Sequence, residues 1–91
     1  MSARPYEIVI TAPAARAIRE VLPEAVAFAV IDFMTGPLSD SPRWVGSPLR
    51  GELKVWSARR GTYRILYWID DERHEVIVLR VGHRGNVYRP G

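Results

Sequence analysis

The sequence predicts an α+β fold, in which a helical hairpin packs on a mostly antiparallel four-stranded sheet in the order β-α-α-β-β-β. Three observations predict it. Tyr6 to Thr11 is a short, β-branched, roughly alternating run. Two segments of helical pattern follow with almost no loop between them. Residues 53–83 then divide into three strand-like runs separated by turn formers.

Tyr6-Glu7-Ile8-Val9-Ile10-Thr11 is the first strand. Thr11 is placed to cap a helix with Pro13 in its first turn, where a missing N–H is harmless. Ala14, Ala15, Ile18 and Val21 carry that helix to Leu22. Pro23 opens a second helix, and Gly36-Pro37 is a stop signal for it. Between Glu24 and Asp32 this helix has no charged side chain. Two readings stay open: a core helix packed on both the sheet and its neighbour, or a helix that shares a docking surface for another protein with the first. Gly36 to Gly51 reads as loop, with Pro37, Pro42 and Pro48 among Ser and Gly. Leu53 to Arg59 pairs with Thr62 to Ile69 across Gly61, and that strand pairs with Glu75 to His83 across Asp70-Asp71-Glu72-Arg73-His74. His74 is expected to face solvent. Without repeat or linker, residues 1–91 read as a single domain.

Composition removes several classes of function. An apolar content of 47% with 25% charged residues is ordinary for a soluble globular protein. The absence of cysteine excludes disulfides and thiolate chemistry. The longest apolar run, Ala25 to Ile31, is far too short to span a membrane, and the first residues show no export signal, so the expected location is cytoplasmic. His74 and His83 make no metal motif. There is no glycine-rich phosphate loop and no nucleophile elbow. The reading therefore calls for no cofactor and no metal.

Charge is distributed unevenly. Met1 to Ser47 holds 4 basic and 5 acidic residues, whereas Pro48 to Gly91 holds 9 basic and 5 acidic. Four of those last acids (Asp70, Asp71, Glu72 and Glu75) sit in or beside one turn, so the rest of the C-terminal surface is strongly positive and suits a polyanion. Strand alternation assigns faces. Arg64 shares a face with Thr62, Leu66 and Trp68, opposite Tyr63, Ile65, Tyr67 and Ile69, which read as helix-facing. On the last strand, Ile77, Leu79 and Val81 oppose Val78, Arg80, Gly82 and Arg84. In matching register, Arg64, Arg80 and Arg84 rise from the face away from the helices. Arg59 alternates with Leu53, Val55 and Ser57, and parity leaves its face open. Such a face is either a solvated surface or a site. Arg84 with Tyr88, at a strand end beside Gly82 and Gly85, favours the second.

Pro48-Leu49-Arg50-Gly51, Trp56-Ser57-Ala58-Arg59-Arg60-Gly61-Thr62-Tyr63-Arg64-Ile65-Leu66-Tyr67, Val81-Gly82-His83-Arg84 and Val87-Tyr88 together resemble the RelE/ParE toxin superfamily. The closest pattern is that of RelE-type mRNA interferases of bacterial type II toxin–antitoxin pairs. The resemblance implies a ribosome-dependent, metal-independent endoribonuclease that cuts mRNA in the A site by attack of a ribose 2′-hydroxyl on the adjacent phosphate. It also implies a RelB-like antitoxin partner in a toxin–antitoxin hetero-oligomer. Carried over by position, Arg64 and Arg84 match phosphate-binding arginines, and Tyr88 matches a tyrosine that positions RNA or assists proton transfer. Arg59 falls at a basic position on the preceding strand. Arg60, Lys54 and Arg80 are further RNA-binding candidates, and His83 is a candidate catalytic residue.

The chain departs from the pattern at one place. Two lysines of RelE-type enzymes fall at Val55 and Ser57 here, which leaves His83 and Glu52 as candidate general bases. The resemblance accommodates two alternatives: a ParE-like inhibitor of DNA gyrase without nuclease chemistry, and a catalytically inactive member that only binds its antitoxin.

Overall fold

A computed structural model of the chain describes residues 4–51 and 54–83. Strand β1 (Glu7–Ile10) leads into helix α1 (Ala12–Arg16), which widens into a π-helical turn over Ala17–Val21. Helix α2 (Glu24–Phe33) widens in the same way over Met34–Leu38. Strands β2 (Ser47–Pro48), β3 (Trp56–Arg60), β4 (Tyr63–Asp70) and β5 (Glu75–His83) follow. The sheet order is β1-β5-β4-β3-β2, with β1 parallel to β5 and the other pairs antiparallel.

This is the expected α+β class with one strand more than the four expected. The addition is β2, where Ser47 and Pro48 pair with Ser57 and Trp56. It lies in the stretch read as loop, because its proline argues against a strand everywhere except at an edge, which is where it sits. Strand β3 begins at Trp56 rather than Leu53, since positive φ at Gly51 (84°) and Lys54 (66°) bends the chain just before it. Strand β5 has the bounds read from its sequence.

Two helix signals act differently from expectation. Thr11 occupies the cap position, and its carbonyl accepts from the Ala15 N–H at 2.9 Å, but its side chain makes no capping bond. Instead Thr11 Oγ1 lies 2.9 Å from the carbonyl oxygens of both Val78 and Leu79. Gly36-Pro37 does not stop the second helix. An interior proline costs about 3 kcal/mol, whereas burying Met34 and Leu38 stabilises by about 1.5–3 kcal/mol each. Both side chains are fully buried, so the helix continues past the proline through the wider turn.

The core lies between the hairpin and one sheet face. Ala14 from α1, with Val30 and Phe33 from α2 and Met34 and Leu38 beyond it, packs on Ala58, Ile65, Tyr67, Val76, Val78 and Val81. The core reading of α2 holds on the side that packs on the sheet, and the docking reading stays open on the other. Only Val30 and Phe33 are buried within it, while Phe28 is 63% exposed and Ile31 39%. Val21, at the end of the first helical segment, is 71% exposed. No helix among the described residues is long and apolar enough to cross a membrane.

Val78 corrects the alternation assigned to the last strand. Pairing runs Leu66 to Arg80 and then Tyr67 to Val78, so Leu79 is an extra residue, a one-residue bulge. Val76 and Val78 therefore face the helices together with Val81, while Arg80 faces away.

Candidate nucleic-acid interface

The outer face of the sheet gathers the arginines. A tight turn joins β3 to β4, with Gly61 at φ 60° in the first loop position, where a type II′ hairpin requires glycine. This turn fixes the register: Arg59 stands opposite Arg64, and Ser57 opposite Leu66. Residues directly opposite one another share a face, so Arg59 joins Arg64, which alternation alone could not decide. Arg64 Nη1 donates to Ser57 Oγ at 3.2 Å, which orients the guanidinium along the sheet. The bulge then brings Arg80 opposite Leu66 on this same face. Leu66 is buried, yet it stands outside the helix-side core. It forms the apolar floor among Ser57, Arg64 and Arg80.

The other sequence-predicted residues are distributed elsewhere. Arg60 stands opposite Tyr63 on the helix side, and its guanidinium lies 4.1 Å above the Phe33 ring centre, a cation–π contact. His83 is also on that side. Its ring meets Tyr63 edge-on at 5.6 Å between centres, and it lines a groove with Pro13, Ala17, Val21 and Leu22. The sheet thus separates Arg60 and His83 from Arg59 and Arg64, whereas Arg80, on the outer face by register, also lines the His83 groove. Lys54 is exposed in a different groove with Trp56, Trp68 and the acidic residues 70–72. Arg84, Tyr88 and Glu52 lie outside the described residues.

The acidic turn does not neutralise the arginine face. Asp70 lies six residues along β4 from Arg64, a separation of about 20 Å at the usual strand rise, against a screening length of about 8 Å at physiological salt. Asp71 is also engaged locally. It accepts from Arg43 Nη2 at 2.7 Å and from the Tyr6 hydroxyl at 2.8 Å, and the Arg43 bond, with that from Tyr6, holds its carboxyl below the usual range. His74, expected in solvent, is half-buried instead. It stacks on Tyr6 at 4.0 Å and its Nε2 meets the Arg4 carbonyl oxygen.

Beside the arginines runs a groove of about 300 Å³ lined by Trp44, Val45, Gly46, Ser47, Ser57, Arg59 and Arg64. Trp44 is 88% exposed, the most exposed of the large hydrophobic side chains among the described residues. Its loop is held at both ends. Tyr67, fully buried, donates its hydroxyl to the Pro42 carbonyl at 2.6 Å, and burial pushes the phenol up to about 12. Gly46 packs so closely that a Cβ there would meet the Ser57 carbonyl oxygen at 2.7 Å and also strike Tyr67 Oη. Sequence reasoning missed Trp44, because an aperiodic Gly- and Pro-rich loop carries no signal of which strand it passes. Ser57 was noted only as a replacement for lysine; its role beside Arg64 follows from the hairpin register.

The chain is similar to known proteins over most of its length. A family model described as the ParE toxin of the type II toxin–antitoxin system, parDE, matches residues 7–88. The chain is 50% identical over 86 residues to Toxin RelG of Mycobacterium tuberculosis, covering 93% of this chain and 98% of that protein. It is 45% identical over 86 residues to Toxin RelE of the same organism, covering 93% and 88%. Among solved structures, the toxin–antitoxin complex RelBE from M. tuberculosis contains a chain that superposes with a TM-score of 0.82 at 50% identity, covering 89% of this chain and all of that one. With a family model spanning most of its length and relatives this similar, the chain belongs to the RelE/ParE toxin superfamily of type II toxin–antitoxin systems.

Proposed function

We propose that this toxin is a ribosome-dependent endoribonuclease that cleaves mRNA in the A site and so inhibits translation in the cytoplasm. One observation carries the reading: the register that sets Arg59 opposite Arg64 and Arg80 opposite Leu66, collecting three cations on the sheet face away from the helices. In the reaction, the ribose 2′-oxygen bonds to the adjacent phosphorus as the bond to the 5′-oxygen breaks. The products are a 2′,3′-cyclic phosphate and a 5′-hydroxyl. Negative charge gathers on the equatorial oxygens of the pentavalent intermediate, and preorganised guanidinium groups stabilise it with charge-assisted hydrogen bonds. Arg64, oriented by Ser57, takes this role, with Arg84 and Tyr88 assigned by motif. Of the two candidate bases, His83 lies on the sheet face opposite Arg64, so the 2′-hydroxyl proton goes to Glu52, and Tyr88 gives a proton to the departing 5′-oxygen.

The partner is a RelB-like antitoxin, supported by the solved RelBE complex that the chain resembles. Its apolar contacts fall on the exposed Val21, Phe28 and Ile31 of the helical hairpin, and an acidic segment covers the arginine face. Binding there neutralises Arg64, which gives inhibition a physical route.

A second reading has its own support. The matching family model describes a ParE toxin, and Ser57 supplies an acceptor to Arg64 where RelE-type enzymes have a lysine. Primer extension on translating ribosomes, run beside a gyrase supercoiling assay, separates the two. Codon-phased cuts abolished by Arg64→Ala support the nuclease. Intact mRNA with inhibited gyrase replaces it with the ParE-like reading. Intact mRNA and unaffected gyrase, with the antitoxin still bound, identify an inactive member.

A further inference from the structure

We infer that the groove between Trp44 and the Arg59–Arg64 pair is a single-strand RNA subsite, in which the Trp44 indole stacks on one base while the two guanidinium groups hold the flanking phosphates. The inference rests on the RNA reading above and adds a positioning residue that the family motif does not include.

Exposure is the first argument. A folded chain seldom leaves an indole 88% in solvent, since its apolar area is the largest of any side chain. Here the loop is not loose around it. Pro42 is buried and bonded to Tyr67, and Gly46 is seated against Ser57, so two fixed points flank Trp44 at a distance of two residues on each side. The Trp44 N–H also donates to the Ser41 carbonyl at 2.9 Å. The backbone is therefore preorganised to present the ring, and little ordering entropy opposes stacking.

Charge is the second argument. The groove at Trp44 is lined by Arg59 and Arg64 with no carboxylate. The other exposed tryptophan, Trp68 (46%), gives the contrast: its groove sets Asp70, Asp71 and Glu72 against Arg43 and Lys54, with Arg43 already paired to Asp71, so its lining is mixed and acidic overall. An exposed ring beside paired arginines, without acids, has the elements of single-strand recognition, a stacking platform along a cationic track. Ser47 and Ser57 add hydroxyls on the same wall.

The test uses the full chain and two readouts. The first is anisotropy of a fluorescein-labelled, mixed-sequence 12-nucleotide RNA; the second is the KM and kcat for mRNA cleavage on ribosomes. Trp44→Ala should weaken RNA binding about 5- to 150-fold, the range for losing one stacked base, and raise KM with little change in kcat. Trp44→Phe should recover most of the loss, and Trp68→Ala should bind as the wild type does. An unchanged melting temperature in Trp44→Ala excludes misfolding as the cause. RNA binding that is absent in the wild type, or equal in Trp44→Ala, overturns the inference. So does a variant that loses only antitoxin affinity, which assigns the groove to the protein partner. If ribosomal cleavage is absent but RNA binding falls with Trp44→Ala, the nuclease reading fails and the subsite stands.

Discussion

The hydroxyl of Thr11 sits 2.9 Å from the carbonyl oxygen of Leu79, the extra residue that puts β5 out of step with β4. A bulge interrupts the ladder and leaves backbone groups in need of partners. Thr11, with its own N–H donating to the Val78 carbonyl at 3.1 Å, supplies them from the adjoining end of β1. Thr11→Val keeps the shape and removes the donor. The variant should lose about 1–2 kcal/mol in urea unfolding, while Thr11→Ser should lose less than half of that. The Arg80 side of the sheet should loosen with it, seen as faster amide exchange at Val78 to Arg80.

Gly46 has no room for a side chain. With the Ser57 carbonyl 2.7 Å from the position of a Cβ, the neighbour that must yield is backbone of a paired strand. Gly46→Ala should destabilise by about 1–3 kcal/mol, read as a lower denaturation midpoint at unchanged m-value. Gly36, which has open space around its Cβ position, should accept alanine with no such loss.

Tyr67 makes stability depend on alkaline pH. Its folded pKa is raised by burial to about 12, above the ordinary 10. Below pH 10 the phenol is protonated in both states and contributes no slope. Between pH 10 and 12 the unfolded chain releases the proton while the folded one holds it, so stability falls as pH rises. The expected fall is about 1–3 kcal/mol, measured by urea titration at a series of pH values. Tyr67→Phe should remove that part of the slope and lose about 1 kcal/mol at neutral pH, with the bond to Pro42.

Arg59 and Arg60 are neighbours with opposite tasks. Arg59→Ala should weaken RNA binding and reduce the salt slope by about 1, with stability unchanged. Arg60→Ala removes the guanidinium from above Phe33 and should lower stability by about 0.5–1 kcal/mol, with the salt slope intact. A salt slope reduced equally by both would contradict the separation of faces.

Much of this was legible in the sequence, and the failures share one cause. Strand β5, bounded by a turn and a strong apolar alternation, was readable to the residue. The placement of Arg64 and Arg80 on one outer face was readable too, although by strict alternation the same reasoning put Val78 with them. Alternation is a local rule, and the bulge that breaks it depends on pairing with β4 and on Thr11. Gly36-Pro37 misled because helix continuation there is decided by burial of Met34 and Leu38, a tertiary effect. The face of Arg59, the short strand at Ser47 and Pro48, and the approach of Trp44 all depend on which strand lies beside which. That is a fact of register that no single segment contains.

The bulge also bears on how the chain tolerates a change of length. Strand β5 has nine residues against the eight of β4, one to spare. Removing Leu79 would let the ladder close with every other side chain on its present face. Removing Ile77 would also yield a regular ladder, but Val78 would take the partner position of Trp68 and Leu79 that of Tyr67, exchanging an outer side chain for a core one. In both cases the two ends of the strand keep their partners. Single-residue deletions from Val76 to Leu79 should therefore be graded by their distance from Leu79, with the arginine end preserved, whereas a deletion at Val81 or Gly82 turns Arg80 to the core face opposite Ile65.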